Sequence, residues 1–242
     1  MKHKPKLTAR SGMLYTCLSF IILFTACEKK DVEPILTKSN LNTDETLLLQ
    51  EGINIKLSLR PQPQNGQDVY VDKEVGVTST NVNNVPELCA SAWTINGNLY
   101  GAGFYIRFDS LKLIPSNAHV LSARLFLYGL SNSLSTPQGN QGDNKCYVER
   151  VTSPWQETTL TYTNRPSSTT ENRSILVAST SQWNYNAIVD VTSMASYFIV
   201  HSAENYGFYI HQVTQTPYRS LVFGSSEQAD RNLRPKLVIT YQ

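Results

Sequence analysis

At 242 residues, 40% of them hydrophobic and 17% charged, the chain is long enough for one or two folded domains and lacks the low-complexity bias of a disordered one. Its net charge of +2 comes from the extreme front, where Lys2, Lys4, Lys6 and Arg10 precede any folding segment; without those four residues the remainder is −2. A nearly neutral, slightly acidic body offers no electrostatic footprint for nucleic acid and no polybasic patch for a membrane surface.

In chain order, the basic start is followed by an apolar run over residues 13–24 and a small-residue exit, Thr25-Ala26-Cys27. The three blocks predict a bacterial lipoprotein signal peptide over residues 1–26, with Phe24 where leucine is usual and Leu23 one place early. The apolar run is too short to span a bilayer as a helix. Cys27 would then be the first mature residue and carry the lipid. The expected location is the cell envelope, on the outer membrane facing the periplasm or the cell surface, with the lipid as the only membrane contact. Residues 27–51 carry Pro34, Ser39, Asn40, Asn42 and Asp44 without sustained periodicity, and read as a flexible tether.

Residues 53–60 alternate (Ile53, Ile55, Leu57, Leu59 against Asn54, Lys56, Ser58, Arg60) and predict a half-buried strand. Short strand-like runs follow at 68–72, 88–95, 100–109, 120–129, 147–151, 158–162, 175–178, 187–191, 207–213, 219–223 and 235–241, separated by Gly, Pro, Asn and Ser. This spacing predicts an all-β fold, a two-sheet antiparallel β-sandwich of jelly-roll type, occupying residues 52–242 as one domain. Leu125, Leu127, Phe208, Ile210, Leu237 and Ile239 fall on its inward positions. One short helix is expected near 192–201, with Thr192 or Ser193 as N-cap and Met194, Tyr197 and Phe198 on its inner face.

Of the four cysteines, Cys17 belongs to the leader and Cys27 to the lipid. Cys89 and Cys146 remain, either as a disulfide of an exported protein or as two small buried thiols.

The chain has no G-x-S-x-G elbow, H-E-x-x-H helix, P-loop or C-x-x-C pair, so the sequence points to no metal, cofactor or nucleophile. His119, His201 and His211 have no metal-pair spacing; His201 is placed to cap the end of the helix. Asp109, Glu149, Glu157, Asp190, Glu227 and Asp230 are the carboxylates from which a glycosidase pair would have to be drawn, and Asp109, Glu157, Asp190, Glu227 and Asp230 each also have a structural reading at a turn, loop or strand end. Gln141-Gly142-Asp143-Asn144 has the composition of a calcium loop without its spaced carboxylates.

The most distinctive stretch is CYVERVTSPWQETTLTYTNRP, residues 146–166, which reads as two strands around a Ser-Pro-Trp corner. With the Gly-Gln-Asp-Val-Tyr-Val run from Gly66, Ala90-Ser91-Ala92-Trp93-Thr94, the block over 107–128, Asp190-Val191-Thr192-Ser193, Asn205-Tyr206-Gly207-Phe208 and the ending over 225–241, it resembles the DNRLRE (disaggregatase-related) domain, family ninety-six of the carbohydrate-binding modules. The resemblance implies a β-sandwich that binds polysaccharide, acidic algal polysaccharide in some members, and assigns Trp155 to the fold rather than to a ligand. It leaves two rival classes: a structural or adhesive surface module, and a polysaccharide-cleaving enzyme of the kind behind the family's older name.

Sugar recognition by a sandwich needs aromatic faces for pyranose rings with polar or cationic groups beside them. Turn and loop positions supply Tyr100, Trp183, Tyr185 and Tyr218 beside Arg219, and Trp93 ends a strand, so Trp93, Tyr100, Trp183, Tyr185, Tyr218 and Arg219 are the expected binding residues.

Overall fold

The computed structural model describes residues 35–40, 44–63, 67–74 and 83–242. The leader and Cys27 lie outside the described residues.

Among the described residues thirteen strands form two antiparallel sheets. The first holds β1 (Ile35–Asn40), β2 (Asp44–Glu51), β3 (Asn54–Pro61), β13 (Lys236–Tyr241), β7 (Val120–Leu127) and β10 (Ala187–Asp190), in that spatial order. The second runs β12 (Arg219–Gly224), β5 (Glu87–Ile95), β6 (Asn98–Ile106), β11 (Phe208–Gln212), β8 (Cys146–Val151) and β9 (Ser168–Leu176), and β4 (Asp68–Glu74) also pairs with β6. The expected all-β sandwich is what the chain forms.

The core lies between the sheets because each strand places alternate residues inward. Leu57 and Leu59 of β3, Leu125 and Leu127 of β7, and Leu237 and Ile239 of β13 meet Phe104 and Ile106 of β6, Phe208 and Ile210 of β11, and Phe223 of β12 in one buried cluster. A smaller cluster of Val69, Val71, Tyr105, Val151, Trp155 and Leu160 forms on the opposite, outer face of the second sheet. It exists because residues 152–167 fold back over that face.

Three local expectations differ from the structure. Residues 35–40 and 44–51, read as tether, are β1 and β2, with β2 hydrogen-bonded to β3 along its full length and Leu48 packed against the core. Residues 158–162 are not a strand: Leu160 N–H donates to Gln156 O (2.9 Å), and Asn164 binds Thr159 O (2.9 Å) and Thr161 N–H (2.7 Å), so a side chain closes the turn that the Thr alternation suggested was extended. The strand that follows the corner and pairs with β8 is β9, which begins seven residues earlier than the expected 175–178.

The helix α1 (Thr192–Val200) forms where predicted, burying Met194 and Phe198. Its cap is neither Thr192 nor Ser193: Val191 is the boundary residue and Asp190 Oδ1 accepts Thr192 N–H at 2.9 Å. Tyr197 is half-buried and packs against the core, with the Arg150 guanidinium 3.6 Å over its ring and His201 stacked at 4.3 Å. His201 Nδ1 reaches Tyr197 O at 3.1 Å, at the helix end.

Cys89 and Cys146 are free, buried thiols. Cys89 Sγ sits 3.0 Å from Thr136 Oγ1, and Cys146 Sγ 3.5 Å from Asn144 O.

Candidate carbohydrate-binding groove

The outer face of the second sheet carries an ordered set of side chains, because residues paired in an antiparallel register share a face. One row reads Val69, Tyr105, Tyr209, Glu149 across β4, β6, β11 and β8; the next reads Val71, Gly103, His211, Tyr147. Aromatic and polar residues alternate here with inward Phe104, Ile106, Phe208, Ile210 and Val148. Strands built that way present a flat, ring-bearing surface while keeping the core closed.

The rings form one continuous row. Trp155 lies 5.6 Å from Tyr105, Tyr105 stacks on Tyr209 at 4.4 Å, Tyr209 on His211 at 4.7 Å, and His211 approaches Tyr147 at 5.8 Å. A guanidinium lies over each end: Arg107 is 5.4 Å above Trp155, and Arg173 is 3.8 Å above Tyr147. Trp155 and Tyr105 are buried and form the foundation, with Trp155 Nε1 donating to Tyr206 O at 2.7 Å. Tyr209, His211 and Tyr147 are half-buried and face outward. Burial pushes the Tyr209 hydroxyl up to about 12, so it stays a neutral phenol able to donate.

Above this row opens a groove of about 500 Å³, floored by Gly101 and Gly103 of β6 with Tyr209 and His211, and walled by Lys73, Leu99, Tyr162, Arg165, Ser168 and Gln215. Gly103 is required by space: a Cβ there would lie 2.8 Å from Tyr209 Cε2 and 3.0 Å from Ile210 O. On the wall, Arg165 covers the Tyr162 ring at 3.8 Å and donates to Tyr162 O at 2.6 Å, and Lys73 Nζ is 5.5 Å from the same ring. Arg165 and Lys73 are exposed, so their charges face the groove's solvent.

Among the described residues one carboxylate lines the groove, and it is held in place. Glu149 is 6% exposed; Ser168 Oγ donates to its Oε2 at 2.6 Å, Arg173 approaches Oε1 at 3.9 Å and His211 Nε2 approaches Oε2 at 3.5 Å.

Of the six residues expected from the sequence, Trp93, Tyr100, Tyr218 and Arg219 come together where β5 lies between β6 and β12, and Trp183 and Tyr185 belong to a separate loop. Tyr100 borders the groove but turns its hydroxyl to Asp72 Oδ2 (3.3 Å), and burial raises its pKa far above the ordinary 10.0. Trp93 pairs in register with Tyr100 and packs edge-on against Tyr218 at 5.1 Å, off the groove floor. Arg219 is committed to backbone, donating to Asp143 O (3.0 Å) and Thr216 O (2.7 Å). Trp183 lies against Gly139, and Tyr185 packs on the core 6.4 Å from Phe223. Of the six, Tyr100 alone lines the groove.

Tyr147, Tyr162, Arg165, Arg173, Tyr209 and His211 are not among the residues expected from the sequence, which lie in turns, in loops and at a strand end. Their signal was present: on β8 and β11 the outward positions hold Tyr, His and Glu where an ordinary solvated strand holds Lys, Thr or Ser.

The family model of carbohydrate-binding module family 96 matches residues 63–241, most of the chain and all of the strands that build the groove. No curated protein matches the chain. The resemblance carried by the Ser-Pro-Trp corner and the flanking blocks therefore holds across the domain: the chain belongs to carbohydrate-binding module family 96.

Proposed function

We propose that the chain is a non-catalytic, polysaccharide-binding surface lipoprotein, anchored through Cys27, whose groove on the outer face of the second sheet takes an acidic glycan. The observation that carries this reading is the stacked Tyr209–His211 pair in a groove whose lining also bears Lys73 and Arg165. Tyr209 is stacked on both faces, so the stacked pair presents ring edges and polar ring atoms to the glycan, while the cations meet its carboxylates or sulfates.

The groove's chemistry favours holding over cutting. Glycoside hydrolysis uses two carboxyl groups about 5–9.5 Å apart flanking the scissile bond. Among the described residues that line the groove Glu149 is the one carboxylate, and Ser168, Arg173 and His211 already engage it.

Co-sedimentation of the purified chain with insoluble or immobilised uronic-acid and neutral polysaccharides tests the reading, together with an assay for released reducing ends. Retention by acidic glycan that weakens between 50 and 500 mM NaCl, without chain cleavage, is the expected result. Equal retention by neutral glycans would remove the acidic specificity; reducing-end release would replace the binding module with an enzyme; no retention on any glycan would favour the structural or adhesive class.

A further inference from the structure

Away from the residues that line the groove, three carboxylates from distant parts of the chain converge: Asp68 at the start of β4, Glu157 in the corner after Trp155, and Glu227 in the loop after β12. One oxygen from each lies within 4.8 Å of the others. Asp68 is 1% exposed.

Asp68 and Glu227 share a hydrogen-bond donor. Ser226 Oγ lies 2.8 Å from Asp68 Oδ1 and 2.9 Å from Glu227 Oε1, but a hydroxyl has one proton and can satisfy only one of them. Ser226 N–H adds a bond to Asp68 Oδ2 at 2.9 Å. Glu227 Oε2 is enclosed and has no hydrogen-bond partner, an expensive state for a carboxylate oxygen. The neighbouring guanidiniums are occupied: Arg107 binds Asp109 Oδ1 (2.6 Å) and Gln67 Oε1 (2.8 Å), and Arg234 Nε donates to Gln228 O (2.8 Å). Burial and the Glu227 charge raise the pKa of Asp68, and burial raises Glu227 and pushes Glu157 up to about 9, against the opposing pull of Arg234 on Glu227 and Arg107 on Glu157.

We infer that Asp68, Glu157 and Glu227 form a binding site for one hard divalent cation of the calcium type. Calcium takes oxygen ligands at about 2.3–2.6 Å, so oxygens on opposite sides of one ion stand about 4.6–5.2 Å apart, and three oxygens within 4.8 Å of one another fit around it. An all-oxygen set without His or Cys disfavours zinc and copper. Three carboxylates leave several positions for water or backbone oxygen, and supply the charge that the enclosed Glu227 Oε2 needs as a partner. An ion there cross-links β4, the 152–167 segment and the loop after β12, three segments separated by long stretches of sequence. The inference does not depend on what the groove binds.

The test is calcium uptake by the full chain after chelator treatment and exhaustive dialysis, followed with radioactive calcium and by thermal melting. The expected result is one calcium per chain and a melting temperature about 5–10 °C higher in 1 mM CaCl2 than in EGTA, if the ion binds in the micromolar range. Glu227→Gln and, separately, Glu157→Gln should each abolish stoichiometric uptake and most of the calcium-dependent shift. Glu227→Gln should melt no lower than the parent in EGTA, because it removes an uncompensated charge. No uptake by the parent chain, or uptake that survives both variants, would overturn the assignment. Should one variant fail to fold, uptake by the parent and by the other variant decides.

Discussion

The Tyr209 and His211 rings lie 4.7 Å apart at an interplanar angle of 23°, two residues apart on one strand and on the same outer face. Consecutive outward positions on a strand usually diverge with its twist; here they are held parallel because Tyr209 is stacked from the other side on Tyr105, at 4.4 Å and 16°. The pair forms a short, rigid platform whose geometry is set by the sheet.

That rigidity depends on Gly103. Gly103→Ala would put a methyl group 2.8 Å from the Tyr209 ring and 3.0 Å from Ile210 O, forcing the ring off its stack. A cost of about 1–3 kcal/mol is expected, together with several-fold weaker glycan binding. Urea denaturation and a binding isotherm on the same preparation measure both, and an unperturbed isotherm would show that the Tyr209 platform is not used.

Cys89 and Cys146 should behave as inert core residues. Burial pushes the Cys89 thiol up to about 11 and the Cys146 thiol above the ordinary 9.0, so neither supplies thiolate at neutral pH. Mass mapping after iodoacetamide treatment should find both unmodified in the native chain at pH 8 and both modified in 6 M guanidinium without reductant. Failure to alkylate them in the denatured, unreduced chain would reveal a disulfide.

The strand skeleton was legible in the sequence wherever alternation was clean, as in β3, β7, β11 and β13. It was misleading where side chains override local pattern: Asn164 turns a Thr-alternating stretch into a closed loop, and Asp190 takes the capping role that Thr192 and Ser193 advertised. β9, with Glu171, Asn172 and Arg173 in its middle, carries too little apolar signal to be read before its pairing with β8 is known. The binding face was harder still, because Tyr105, Tyr209 and Tyr147 come from three strands and become a row only through register.

Asp190 carries a small, pH-dependent share of stability. The Thr192 N–H bond holds its carboxyl below the ordinary 3.8, so the contribution is complete above that value and is lost as pH falls through the lower, folded-state pKa. Asp190→Ala should cost about 0.5–1 kcal/mol at pH 7, discounted for its exposure, and progressively less below pH 4. A difference that stays constant from pH 7 to pH 2.5 would contradict the capping role.

Cys27→Ser should leave the chain without its acyl anchor. Detergent-phase partitioning of the parent from its native membranes, and aqueous partitioning of the variant, is the expected contrast. Equal partitioning of the two would remove the lipoprotein reading and leave the binding module intact.

The central claim, that glycan is held on the outer face of the second sheet, is tested most directly by calorimetric titration of one acidic polysaccharide into the parent chain, Lys73→Ala/Arg165→Ala and Trp183→Ala. Lys73 and Arg165 are exposed, so their loss should leave the melting temperature within about 2 °C while weakening binding at least tenfold, which is about 1.4 kcal/mol. Trp183→Ala should bind as the parent does and melt lower, since its ring packs on Gly139. Parent-like affinity in the Lys73→Ala/Arg165→Ala variant together with lost affinity in Trp183→Ala would contradict the account and move the site to the loop.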